Sequence, residues 1–166
     1  MAADPQRDQN LKRGGQRDRG ADGRPRQARP RDALGRPLPH GDPHGVPPVS
    51  EEALPPTRAL ELAQSLLDAG RAFSAHEVLE AVWKAAPPAE RDLWQGLAQV
   101  CVGITHHQRG NPTGMVTLFD RAAHRLDRYS DDRPYGVDVA GLLRFCAEAV
   151  ATSAVPDTAP GLTGGP

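Results

Sequence analysis

Apolar residues recur at helical spacing from residue 57 onward and show no such rhythm before it. Leu60, Ala63, Leu66 and Leu67 share one face, with Arg58, Glu61, Gln64 and Asp68 left to face water. That pattern predicts an amphipathic helix over about 57–69, entered through Pro55-Pro56, capped by Thr57 and stopped at Gly70. A second helix is predicted from Ser74, where Ser74 and Glu77 have the spacing of a capping box, to about Ala86 before Pro87-Pro88. A third runs from about Pro88 to Arg109, with Gly110 as its stop. It is apolar nearly all round, as a central helix is, except that Gln95, Gln99 and His106 fall along one line. A fourth starts at Asn111-Pro112 and carries a stripe of Met115, Leu118, Phe119, Ala122, Leu126 and Tyr129, leaving His124 to solvent. The last, over about 138–152, would bury Val139, Leu142, Leu143, Cys146 and Val150. No strand pattern, internal repeat or glycine-rich phosphate loop accompanies them. The fold class is all-α: a compact bundle of about five helices with short loops, the second and third forming an antiparallel hairpin.

Composition sets the limits of the bundle. A chain of 166 residues allows one domain. Residues 1–50 hold eight prolines, and no aromatic residue precedes Phe73. So little apolar area cannot offset a backbone ordering cost of roughly 1–2 kcal/mol per residue. The reading is therefore a disordered Pro/Gly/Arg-rich extension over 1–50, a helical domain over 51–152 and a frayed tail over 153–166.

Charge divides unevenly: 1–50 carry a formal +4 and the remainder −5, within a total of −1. The extension's arginines alternate with aspartates and have no aromatic neighbour to stack on bases, which argues against nucleic acid as a partner. No segment has the apolar length of a secretory signal or a membrane span. Cys101 and Cys146 lack metal-ligand spacing and read as small buried hydrophobes in a reducing compartment. The expectation is a cytoplasmic protein.

Chemistry concentrates on the second helix. His76, Glu80 and Trp83 share a face at offsets of four and seven residues, alongside Leu79. Across a tight hairpin, Gln95 should approach Glu80 or Trp83, and Gln99 should approach His76. His106 would lie about 10 Å further along the axis. A buried imidazole and carboxylate need partners, so these six residues form the candidate site. Three readings fit them. They form a structural hydrogen-bond network, or His76, Glu80 and His106 ligate a divalent metal, or the cluster lines a pocket for a small molecule or a protein segment. In the last reading Glu80 raises the His76 pKa.

The run Phe73-Ser74-Ala75-His76-Glu77-Val78-Leu79-Glu80-Ala81-Val82-Trp83, then Trp94-Gln95-Gly96-Leu97-Ala98-Gln99, then His106, then Arg109-Gly110-Asn111-Pro112-Thr113-Gly114, resembles a bacterial and archaeal family known as domain of unknown function 309. The resemblance spans 73–129. It implies a compact all-helical domain and no particular activity. The preferred function is a non-enzymatic binding or interaction module, with a small molecule, a protein or a second copy covering an apolar stripe as partner. The alternative is a metal-dependent hydrolase or related metalloenzyme using His76, Glu80 and His106.

Overall fold

The computed structural model describes residues 29–164. Five α-helices occur among them: α1 (Pro56–Asp68), α2 (Ala72–Ala85), α3 (Arg91–Gln108), α4 (Pro112–Leu126) and α5 (Val139–Thr152). Single 3-10 turns at Pro88–Glu90, Asp127–Tyr129 and Pro134–Gly136 join them. The described residues contain no strand, only two isolated bridges. Helix α3 packs most extensively against α4 and α2, while α1 packs on α2 and α5 on α4. Ten of the 18 residues of α3 are buried, which makes it the central helix the pattern predicts.

The helix ends follow their local chemistry. Pro56 occupies the first position of α1, where its missing N–H costs nothing, so Thr57 lies inside the helix and is not its cap. α1 closes with Gly70 N–H donating to Leu67 O and Arg71 N–H to Leu66 O, a Schellman motif. α3 closes the same way: Gly110, at φ +71°, donates to His107 O, and Asn111 N–H donates to His106 O. The tight turn at Gly70-Arg71 lets α2 begin at Ala72, two residues earlier than a Ser74 cap would allow. Ser74 is consequently buried within the helix and accepts from Arg71 Nη2 at 3.1 Å. The expected Ser74–Glu77 capping box does not form.

The core is continuous. Trp94, Phe119, Leu60, Leu79, Leu93, Leu97, Met115, Leu126 and Leu142 are fully buried, each worth roughly 1.5–3 kcal/mol relative to exposure. Phe119 meets Phe145 edge-on at 5.7 Å between centroids, the arrangement favoured by the ring quadrupoles. In α5, Phe145 and Ala149 are buried, whereas the expected Leu143 and Val150 are half-buried at the core's edge. His124 is exposed, as its position outside the α4 stripe predicts.

Both ends of the described chain lie against the bundle. Beyond α5, where fraying is expected, Leu162 is fully buried. Its carbonyl accepts from Asp138 N at 3.0 Å, and its N–H donates to Gln64 Oε1 at 2.7 Å. Gln64, read as a water-facing residue, thus holds this segment to α1. At the other end, residues 1–28 of the expected extension lie outside the described residues. Residues 29–50 contain no helix. They cross the start of α2, where Arg71 Nη2 donates to Pro47 O at 2.8 Å and Arg109 Nε to Leu34 O at 2.8 Å.

Candidate functional site

The six residues singled out by spacing do not converge on one buried cluster; they separate into three places. The first is α2. His76 Nε2 lies 3.9 Å from Glu80 Oε2, and Lys84 Nζ lies 3.2 Å from Glu80 Oε1. The two partners' side chains are 20% and 33% exposed, so this is a boundary pair and not an interior one. Burial lowers the His76 pKa below the usual imidazole value; Glu80 opposes that and Lys84 adds to it. The expected upward shift is therefore corrected. At 3.9 Å and partly solvated, the carboxylate offsets less than desolvation costs. His76 Nδ1 is buried without a hydrogen-bond partner.

The second place is the α3–α4 corner. Asn111 caps α4 by accepting from Gly114 N at 2.9 Å, which turns its amide nitrogen toward His106 Nδ1 at 3.0 Å. The imidazole accepts there, so its proton sits on Nε2. A Cβ at Gly114 would lie 2.6 Å from His106 Nδ1, so only glycine leaves room for the ring. His106 thus has a structural role at the corner. Among the described residues, no group of three or more His, Cys, Asp or Glu is placed to hold a metal ion. His106 lies about 10 Å beyond Gln99 along α3, and the expected His76, Glu80, His106 triad does not assemble.

The third place is the rest of the expected cluster. Gln95, Gln99 and Trp83 are half-buried along the borders of α3 and α2. Gln99 Oε1 is buried without a partner. No hydrogen bond links these residues to His76 or Glu80. The polar line of α3 lies at the edge of its buried face, so the cross-hairpin network is corrected as well. Trp94, one residue before Gln95, is fully buried and donates from Nε1 to Glu90 Oε2 at 3.2 Å, while Tyr135 Oη donates to Glu90 Oε1 at 2.8 Å.

The outward face of α2 borders a groove. It measures about 800 Å³ and separates α2 from residues 29–51; Arg31, Val49, Glu51, Glu77, Glu80 and Lys84 are among the residues lining it. Glu77, relieved of the capping role, projects here and makes no hydrogen bond to a described residue. Burial raises its carboxyl above the usual range. Arg31 and Arg71 pull it down, and Glu80 and Glu51 push it up. Its neighbouring cations have other bonds: Arg31 Nη1 donates to Gly35 O at 2.6 Å, Arg71 bonds Pro47 and Ser74, and Lys84 pairs with Glu80. Nothing in the sequence identified Glu77, because Ser74-x-x-Glu77 reads equally well as a cap. Cys101 and Cys146 are buried thiols, each pushed up to about 12 by burial, and carry no thiolate near neutral pH.

Residues 60–118 match DUF309, a domain of unknown function. The match begins earlier than the residues that suggested the resemblance, taking in the apolar face of α1 from Leu60. The uncharacterized protein YpuF of Bacillus subtilis (strain 168) is 44% identical over 47 residues, 28% of this chain and 27% of YpuF. The chain therefore spans about a quarter of that relative's length. No solved structure matches the chain. No helix among the described residues is long and apolar enough to cross a membrane.

Proposed function

We propose that this chain is a non-enzymatic binding module and that its ligand site is the groove between α2 and residues 29–51. One observation carries the reading: Glu77 is a half-buried carboxylate, without a hydrogen bond to any described residue, in a groove of ligand size. Pockets that hold small molecules or peptide side chains typically measure about 300–1,000 Å³ and combine apolar walls with a few polar groups. Here Val46, Pro47, Pro48, Val49 and Ala81 supply apolar wall. Asp32, Asp42, Glu51, Glu77 and Glu80 line the groove against Arg29, Arg31 and Lys84, so acidic side chains outnumber basic ones in the lining. A ligand with an amine or guanidinium on an aliphatic stem satisfies both halves of that lining. A carboxylate left partly desolvated disfavours its own charged state, and a bound cation relieves that cost.

Agmatine, a four-carbon stem with a guanidinium at one end and an ammonium at the other, is a suitable probe. Calorimetric titration of the full chain should give saturable binding in the millimolar range. Glu77→Gln should weaken it about tenfold, the equivalent of ~1.4 kcal/mol. Binding of equal strength to the wild-type chain and to Glu77→Gln would overturn this reading.

A further inference from the structure

The groove ends at Phe73, and the contacts there point beyond the groove itself. Residues 30–38 form a small turn closed by their own hydrogen bonds. Gly35 N–H donates to Asp32 O, Asp32 N–H to Arg36 O, and Leu38 N–H to Pro30 O. The Asp32 side chain accepts from Leu34 N at 3.0 Å and Arg36 N at 2.8 Å. The turn therefore brings its own shape to the surface it meets. That surface belongs to the matched region 60–118, whereas the turn lies upstream of it.

The fit is specific. The Arg31 guanidinium stands 5.3 Å from the Phe73 ring centroid and that of Arg109 stands 5.6 Å from it. Gly35, at φ +73°, lies so close that a Cβ would clash with the ring, 2.2 Å from Phe73 Cγ. Arg109 Nε donates to Leu34 O at 2.8 Å. Yet residues 29–50 place no large side chain among the fully buried core residues. The turn is held by cation–π and hydrogen-bond contacts, which are individually weak, and not by an apolar anchor. At the start of α2, where the His76 ring lies 5.7 Å from that of Phe73, His76 Nδ1 and Arg71 Nε are buried with no hydrogen-bond partner. The surface thus offers polar groups that its present occupant does not use.

We infer that the Phe73–Arg109 face is a docking site for a polypeptide turn with arginine and glycine four residues apart, and that residues 31–35 fill it in cis. A partner presenting such a turn, with an added group to meet His76 Nδ1, displaces the chain's own segment. This inference does not depend on what the groove binds.

The test uses the full chain and a fluorescein-labelled synthetic peptide of residues 29–46. Gly35→Val should eject the chain's own turn, so the peptide should bind that variant at least tenfold more tightly than the wild type. Adding Phe73→Leu should abolish the gain. Equal binding to wild type and Gly35→Val, or none to a Gly35→Val chain whose circular dichroism is native, overturns the inference. Hydrogen exchange in the wild-type chain provides a second measurement that needs no variant. The amides of Gly35 and Leu38 should exchange at least a hundredfold faster than those of the α3 core. Exchange only at the rate of global unfolding would make the turn a fixed part of the fold. A wild-type dimer that Gly35→Val dissociates would assign the site to a second copy and overturn occupancy in cis.

Discussion

Asn111 Nδ2 lies 3.0 Å from His106 Nδ1 while the backbone N–H of Asn111 donates to His106 O at 2.9 Å, so one asparagine holds both the ring and the carbonyl of the last turn of α3. Its remaining amide oxygen caps α4. The residues His106, Gly110, Asn111 and Gly114 are thereby accounted for as one helix–helix corner: a ring to be oriented, a left-handed stop, a shared cap and a gap for the ring.

This corner is sensitive to small additions. Gly114→Ala should destabilise the chain by about 1–3 kcal/mol through overpacking against His106. Asn111→Ala should cost about 1–2 kcal/mol through the lost cap. Urea unfolding followed by circular dichroism checks both. A neutral Gly114→Ala would show that the ring has another place to go.

Glu77 should trade stability against binding. Its folded-state pKa is raised, mainly by burial, so the native state holds its proton more tightly than the unfolded state does. Stability from this group is greatest below the ordinary carboxyl range and declines as pH rises through the raised value. Glu77→Gln should therefore raise the melting temperature at pH 7, with the gain vanishing below about pH 4, even as agmatine binding weakens. Melting curves across that pH range would show it. A loss of stability at pH 7 would mean that Glu77 has a structural partner.

His76 has the opposite linkage. Burial lowers its folded-state pKa, so its contribution is fully present above the ordinary imidazole value and is lost as pH falls through the lowered one. Because Glu80 holds the value up, Glu80→Gln should lower it further. Titration of the His76 ring proton by NMR reads this directly. A value unchanged by Glu80→Gln would separate the two side chains.

Glu90 serves two aromatic donors. Glu90→Ala leaves the fully buried Trp94 indole without its acceptor and should cost about 1–3 kcal/mol. It should also bring the Tyr135 phenol down toward its ordinary value, since the hydrogen bond to Glu90 is the main cause of its raised pKa. Denaturant unfolding and ultraviolet titration of the tyrosine measure the two effects.

The helices were legible because their signals are local. Spacing of apolar residues fixed the faces of α1, α3 and α4, and Gly70, Gly110 and Asn111-Pro112 fixed their ends. What depended on distant chain was not legible. Leu162 is one apolar residue in a Gly/Pro-rich stretch, and its anchoring comes from the core it enters and from Gln64 and Asp138, which are distant in sequence. The turn at 30–38 is built from backbone and Asp32 hydrogen bonds, which leave no apolar rhythm. The pairing of His76 with Glu80 followed from their spacing. Its surroundings did not, because a shift of two residues in the start of α2 freed Glu77 and the polar line of α3 stayed at its own border. Spacing leaves His106 open to a structural, a ligand-binding or a metal-ligating role, since a histidine on a buried helix gives the same pattern whether it meets a metal or an asparagine.

The most direct test is to map agmatine on the isotope-labelled chain by NMR. The account predicts chemical-shift changes confined to residues 46–51 and the outward face of α2 from Phe73 to Lys84, saturating together and largely lost in Glu77→Gln. Changes centred on α4 or α5, or an α2 face that stays silent while agmatine binds elsewhere, would contradict it.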